Sequence, residues 1–215
     1  MSIVTIERKV LEKNDEIARK NRDLFRSQNI FAINIVSSPG SGKTSILERT
    51  LEYFNGKVPV AVIEGDVHTD LDAQRIAKHN IPVVQVVTNG MCHLEAKFVS
   101  DSLSAFDGKN VRLLIIENVG NLVCPSNYDL GEAHKIVVLS TTEGDDKPLK
   151  YPAMFRNASV LLINKIDLVP YVNCSIETMV RNALTVNPKL KIFKMSCTTK
   201  EGIAEWCGWL QERIK

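Results

Sequence analysis

The run Phe31-Ala32-Ile33-Asn34-Ile35-Val36 passes directly into Ser37-Ser38-Pro39-Gly40-Ser41-Gly42-Lys43-Thr44 and then into Ser45–Phe54, where Ile46, Leu47, Thr50, Leu51 and Phe54 recur at helical spacing. A strand that empties into a glycine-rich loop and restarts as a helix predicts a phosphate-binding loop, and so a nucleotide-binding α/β protein. Small residues at Gly40, Ser41 and Gly42 let backbone N–H groups turn inward around an anion. Lys43 adds a point charge for the β- and γ-phosphates, the Thr44 hydroxyl can ligate Mg²⁺, and Ser45 lies in the first turn of a helix whose N-terminus favours anions. Ser37 departs from the standard signature, which has its first glycine there.

A second segment predicts the base. Ala158–Ile163 reads as a buried strand ending in Asn164-Lys165-Ile166-Asp167. A carboxylate at Asp167 can accept from the ring imino and exocyclic amino groups of guanine, donors that adenine does not present in that arrangement. Asn164 would tie the base edge to the loops, and the Lys165 stem can lie over the ring. Ser196 and Cys197, after the strand Ile192–Met195, fall where a backbone loop can meet the guanine carbonyl. The cofactor expected is therefore GTP or GDP, with Mg²⁺.

The rest of the chain alternates in the same manner. Apolar runs at Pro59–Glu64, Pro82–Val87, Val111–Glu117 and Lys135–Ser140 join the three strands above, with helical periods at Leu71–His79, Leu94–Phe106, Ser175–Val186 and Ile203–Ile214. Near-continuous apolar strands separated by amphipathic helices predict a mostly parallel seven-stranded sheet covered on both faces. Residues 30–215 are expected to form one G domain, preceded by a helical segment at 1–29. In that segment Ile3, Val10, Ile17 and Leu24 recur every seven positions, with Leu11, Ala18 and Phe25 beside them, which marks an amphipathic helix or helix pair expected to pack back onto the core, with a contribution to a partner surface as the alternative. A chain of 215 residues with 44% hydrophobic residues can bury such a core, and a net charge of +2 gives no electrostatic case for nucleic acid or an acidic membrane. The charged start of the chain is unlike a signal peptide or membrane span, and five cysteines without framework spacing fit reduced thiols. The location expected is cytoplasmic.

Two strand ends offer hard oxygen ligands for Mg²⁺. Glu64-Gly65-Asp66 closes one and Glu117-Asn118-Val119-Gly120 closes another, both at the sheet edge where an open α/β fold builds its site. Asp66 and Thr44 are expected nearest Mg²⁺, with Glu117 second, and Gly120 suits a backbone N–H approaching the γ-phosphate. Cys92 and His93, with Cys124 four residues beyond Gly120, are residue types that suit Zn²⁺ or Ni²⁺. Their spacing alone leaves two readings open, a shared metal or cysteines buried as small hydrophobes.

Taken together, Ser37–Thr44, Glu64-Gly-Asp66, Cys92-His-Leu-Glu-Ala96, Glu117–Pro125, Glu143-Gly-Asp-Asp-Lys147 and Asn164–Asp167 resemble the hydrogenase nickel-incorporation GTPase family, HypB, from about Ile30 onward. In that family a serine at the position of Ser37 is ordinary. The resemblance implies GTP hydrolysis with Lys43, Asp66, Glu117 and Gly120 at the reacting phosphate. It also implies GTP-linked homodimerisation and a Ni²⁺ or Zn²⁺ site of Cys92, His93 and Cys124. The partners implied are a zinc-containing accessory protein (HypA-like) and a [NiFe]-hydrogenase large-subunit precursor. Turnover is expected to be slow, because Asn121 stands where Ras-like enzymes carry a water-orienting glutamine. Some members bind nickel through an N-terminal cysteine motif or histidine-rich tract. Here the first cysteine is Cys92 and the first histidine His68, so metal handling is expected to rest on the G-domain site. The alternatives are a urease-type nickel GTPase, which pairs its metal residues as Cys-Pro-His, and a metal-storage or regulatory module with a vestigial GTPase.

Overall fold

The computed structural model describes residues 6–106 and 110–214. Seven parallel strands form one sheet in the order β3-β2-β4-β1-β5-β6-β7. They are β1 (Phe31–Ser37), β2 (Val60–Asp66), β3 (Val83–Val87), β4 (Leu113–Glu117), β5 (His134–Ser140), β6 (Val160–Asn164) and β7 (Lys191–Lys194). The expected strands all occur, within two residues at each end. A parallel sheet is buried on both faces, which is why β4 and β6 are apolar almost throughout and show no alternation.

Helices α1 (Ile6–Ser27), α2 (Lys43–Phe54), α3 (Leu71–Ala77), α4 (Ala96–Ser102), α5 (Lys147–Lys150), α6 (Pro152–Asn157), α7 (Ile176–Val186) and α8 (Ile203–Gln211) surround it. The period expected over Leu94–Phe106 divides into α4 and a 3₁₀ turn at Leu103–Phe106. Helices α5 and α6 carry no long period, because Pro148 and Pro152 each restart the helix at its first turn. One core layer packs Ile46, Leu47, Leu51 and Phe54 of α2 and Trp206 and Leu210 of α8 against β1, β4 and β5. The opposite face is covered by Met179 and Ala183 with Met154 and Phe155 at one end, and by Phe25, Leu94 and Val99 at the other.

Among the described residues the N-terminal segment is a single helix whose buried stripe keeps the expected Ala18 and Phe25 and departs at Val10 and Leu24. Val10 and Leu24 are 43% and 37% exposed, while Asn14, Ala18, Asn21 and Phe25 face inward. Ile3 lies outside the described residues. Two asparagines occupy the inner face because they bond to backbone. Asn14 accepts from the Ala96 N–H (2.9 Å) and donates to the Asp129 carbonyl (2.8 Å), and Asn21 donates to the carbonyls of Ala96 (2.9 Å) and Leu130 (3.0 Å). A count of apolar residues cannot find such a face, since a buried amide is tolerated once its hydrogen bonds are met.

Register brings the functional segments to one edge. Ile35 and Glu64 are both partners of Glu117, and Ser140 is the partner of Asn164, so the residues that follow these strands emerge together at their carboxyl ends.

Candidate functional site

The phosphate loop joins β1 to α2, which begins at Lys43. Gly40 and Gly42 hold φ of 77° and 98°, left-handed backbone that disfavours a Cβ. At Gly42 a Cβ would also overlap the Asn164 amide nitrogen. The Lys43 ammonium donates to Ser37 Oγ (3.1 Å), so the serine at the first-glycine position steadies the lysine. Ser41 Oγ lies 2.8 Å from the Ser38 carbonyl and 2.6 Å from Glu143 Oε1. Ser45 Oγ accepts from Arg75 (3.3 Å), whose guanidinium also pairs with Glu48 and Asp72.

The Asn164–Asp167 segment is fastened to this loop. Asn164 Nδ2 donates to the Ser41 carbonyl (2.9 Å), and Lys165, itself at φ 60°, donates from Nζ to the Gly40 carbonyl (2.8 Å). Asp167 Oδ1 is buried with no hydrogen-bond partner. A buried acceptor left unpaired costs about 1–3 kcal/mol, and donors of a bound base would relieve it. The Ser196–Thr199 turn, in which Ser196 Oγ accepts from the N–H groups of Thr198 and Thr199, lies alongside. There the Cys197 thiol donates to Asn164 Oδ1 (3.5 Å), and its carbonyl accepts from Arg49 (2.8 Å). Burial pushes the Cys197 thiol up to about 11, so it stays protonated at neutral pH.

At the ends of β2 and β4 the acidic residues differ from those expected. Thr44 Oγ1 donates to Glu117 Oε1 (2.8 Å). Carboxylate oxygens of Glu64, Asp72 and Glu117 gather within 4.8 Å of one another. Asp66 stands outside that cluster, and its Oδ1 closes a turn by accepting from the N–H groups of His68 (2.9 Å) and Thr69 (2.7 Å). Glu64, in register with Glu117 on the neighbouring strand, joins the cluster where Asp66 had been expected. Residues two apart share a face, so position along β2 decides this: Glu64 is level with Glu117 and Asp66 lies two residues beyond. Burial, and then the charge of Glu117, pushes Glu64 up to about 8; burial raises Glu117 to about 7 against the pull of Lys43 and Thr44. Oε2 of each is buried without a partner. Two carboxylates held so close resist joint ionisation unless a cation lies between them.

Gly120 lies against the phosphate loop, and a Cβ there would fall 3.1 Å from Pro39. Beyond it, Asn121 is committed elsewhere. Its Oδ1 accepts from the N–H of Val123 (2.8 Å), with Cys124 N at 3.4 Å, so the side chain forms the turn that carries Cys124.

Cys92, His93 and Cys124 converge, each offering one ligand atom within 4.8 Å of the others. Cys92 Sγ is 2.7 Å from Cys124 Sγ and 3.8 Å from His93 Nδ1. Burial lowers His93 and keeps its imidazole neutral, the form that binds metals; its Nε2 is buried with no hydrogen-bond partner. The ring lies 4.0 Å from that of Tyr128. The Cys124–Asn127 turn is held from behind by Lys135, whose ammonium donates to the carbonyls of Pro125 (3.0 Å), Ser126 (3.2 Å) and Tyr128 (2.8 Å). The sequence offers Glu64 only as a neighbour of Asp66, and it gives no role to Lys135, Asp72 or the asparagines at 14, 21, 34 and 118. The one available signal was a polar residue inside an apolar run, as with Asn34 in Phe31–Val36.

The fold, the phosphate loop and the segments fastened to it define a P-loop nucleotide-binding protein with a cluster of two thiols and an imidazole at the same sheet edge. The nucleotide-binding domain family CobW/HypB/UreG matches residues 31–194. The hydrogenase maturation factor HypB of Azotobacter vinelandii is 48% identical over 211 residues, 98% of this chain and 70% of that protein. Among solved structures, HypB from Archaeoglobus fulgidus superposes with a TM-score of 0.89 at 38% identity, covering 95% of this chain and all of that one. HypB from Helicobacter pylori in complex with nickel gives 0.89 at 37% identity, covering 94% of each. The chain belongs to the HypB family of hydrogenase maturation factors.

Proposed function

We propose that this protein is a GTPase that carries nickel as cargo for maturation of a [NiFe]-hydrogenase, with metal binding coupled to the nucleotide. One observation carries the reading. The segment from Glu117 to Cys124 begins at a carboxylate bonded to Thr44 of the phosphate loop and ends at a thiol beside Cys92 and His93. A short segment touching both ligands is a natural two-state element.

In this reading Gly40 to Ser45 and Lys43 hold the phosphates, Asp167 and Asn164 with Lys165 and the Ser196–Cys197 turn hold guanine, and the Gly120 N–H meets the γ-phosphate. The unpaired Oε2 atoms of Glu64 and of Glu117, whose Oε1 accepts from the Thr44 hydroxyl, fit a Mg²⁺ ion, which when bound neutralises charge on the phosphates. Lys43 stabilises charge as water attacks the γ-phosphorus and the bond to the β-phosphate oxygen breaks, giving GDP and phosphate. With Asn121 engaged at the Cys124 turn, turnover by the isolated chain is slow, near the intrinsic Ras rate of about 10⁻⁴ per second.

The nickel-bound H. pylori relative, with the convergence of Cys92, His93 and Cys124, supports Ni²⁺ as the cargo, and the same donor set accepts Zn²⁺. Three ligands leave at least one position for water or for a second copy of the chain in a GTP-dependent homodimer. Delivery passes to a HypA-like zinc-containing accessory protein and the hydrogenase large-subunit precursor. The test is Ni²⁺ titration in the GDP and GTP-analogue states, with dimer fraction by sedimentation. The two effects must share one coupling free energy, since linkage is reciprocal. A metal affinity that ignores the nucleotide overturns the reading.

A further inference from the structure

The residue after Glu117 reaches toward the other metal loop. Asn118 is 1% exposed. Its backbone N–H donates to the Ile35 carbonyl (2.9 Å), and its side-chain Oδ1 accepts from the N–H of Val119 (3.0 Å) and of Leu94 (2.9 Å). Asn118 Nδ2 donates to Oδ1 of Asn34 in the middle of β1 (3.2 Å). Asn34 Nδ2 in turn donates to Glu132 Oε1 (3.2 Å), and Glu132 Oε2 accepts from the Leu130 N–H (2.7 Å). A buried amide with these bonds met is rigid, because any movement leaves polar atoms unpaired in a dry interior.

Leu94 directly follows His93. Asn118 therefore grips the backbone one residue from a metal ligand, while standing between Glu117, bonded to Thr44, and Gly120, packed on Pro39. The side chain of Leu94 is fully buried and lies on Gly65, where a Cβ would fall 2.8 Å from Leu94 Cγ and Cδ1. Gly65 stands next to Glu64. One residue beside His93 is thus held through its N–H by the end of β4 and through its side chain by the end of β2. Those are the strand ends whose carboxylates gather near Thr44.

We propose that Asn118 is a positioning residue that transmits the nucleotide state of Glu117–Gly120 to the Cys92–His93 loop through the Leu94 N–H. This inference rests on the nucleotide-coupled metal reading above. A single amide oxygen serves Val119 and Leu94 together, so a rearrangement that moves the Val119–Gly120 backbone changes the geometry at Leu94. The metal loop then responds to the same movement that reaches Cys124 along the chain. Without this arm the end of β4 reaches the metal site along the chain to Cys124, and the Cys92–His93 loop keeps its packing of Leu94 on Gly65 and of His93 on Tyr128, with Asn14 and Asn21 on Ala96.

The experiment compares the wild-type chain with Asn118→Leu, Asn118→Asp and Gly65→Ala. Asn118→Leu removes the acceptor at similar volume. Asn118→Asp keeps an oxygen for the Leu94 N–H, and Gly65→Ala displaces Leu94 from the opposite side. Ni²⁺ affinity is titrated with GDP and with a GTP analogue, each bound nucleotide being titrated separately. In metal-free protein the alkylation rate of Cys92 by iodoacetamide is followed by mass spectrometry in both states. In wild type the two nucleotides should change Ni²⁺ affinity by about 5- to 150-fold, the usual range of allosteric coupling. That ratio, and the ratio of Cys92 alkylation rates, should collapse in Asn118→Leu, shrink in Gly65→Ala and be largely kept in Asn118→Asp. A wild-type ratio of one overturns the coupled reading and the relay with it. A wild-type ratio retained by Asn118→Leu overturns the relay and leaves the coupled reading standing. If Asn118→Leu fails to fold, as judged by near-ultraviolet circular dichroism, a full ratio in Gly65→Ala overturns the relay.

Discussion

The base-binding side of the sheet edge and its metal side are held together in different ways. On the base side the motif residues bond to one another: Asn164 and Lys165 reach the carbonyls of Ser41 and Gly40, and Cys197 reaches Asn164. The residues that would touch the nucleotide also build the scaffold. On the metal side the ligands depend on residues that touch no ligand. Lys135 gathers the carbonyls behind Cys124, while Asn118 holds the Leu94 N–H next to His93 and Asn14 and Asn21 hold the backbone of Ala96 farther along. The comparison teaches that a self-bonded motif makes a stiff site, and a site suspended from buried side chains elsewhere can be moved by them.

The sharpest break of this contrast is at the base. Asp167→Asn should weaken GTP at least a hundredfold, since two hydrogen bonds to a charged acceptor are worth about 1.5–3 kcal/mol each. It should favour xanthosine triphosphate, and nucleotide titration with both decides; unchanged GTP affinity removes Asp167 from the site. On the metal side, Lys135→Met removes the ammonium shared by three carbonyls of the Pro125–Tyr128 segment, of which Ser126 still accepts from Asn157 and Pro125 from the Tyr128 N–H, at a cost of about 1–3 kcal/mol in stability. Chemical denaturation measures this, and Ni²⁺ affinity should fall while GTP affinity holds. If both affinities fall alike, the two sides are not separately held.

The acidic cluster lies between the two sides, and its effect follows from sign. Glu64 and Glu117 titrate near 8 and 7 in the folded protein against an ordinary 4.5. Between those values the folded state retains protons that the unfolded chain has released, so ligand-free stability must fall as pH rises from about 5 to about 8. Thermal unfolding across that range should show the decline, and Glu64→Gln should flatten it. Asn21→Ala, which removes two hydrogen bonds between α1 and the Ala96 and Leu130 carbonyls, should cost about 1–3 kcal/mol. A loss confined to stability, with Ni²⁺ affinity unchanged, would detach α1 from the metal side. The smallest effect belongs to Lys97→Ala on the exposed face of α4, where the ion pair with Asp101 one helical turn on should contribute less than about 0.5 kcal/mol.

By itself the sequence determined the strand, loop and helix around Lys43 and the parallel character of the sheet, and it offered Asn164, Asp167, Cys92, His93 and Cys124 as candidates, the last three with two readings open until the family resemblance. Those features are written locally: apolar runs, a glycine-rich loop, and residue types whose chemistry needs no neighbour to be recognised. Only the tertiary structure decided which carboxylates gather with Glu117, the one bonded to Thr44, because that depends on register between β2 and β4, which set Glu64 beside Glu117 and left Asp66 in a turn. It also decided the buried face of α1, where Asn14 and Asn21 displaced the expected stripe of Val10 and Leu24, and the work of Asn118, Asn34 and Lys135. A buried amide or ammonium is tolerable only when its partners arrive from distant segments, and nothing in the residue's own neighbourhood records where those partners will be.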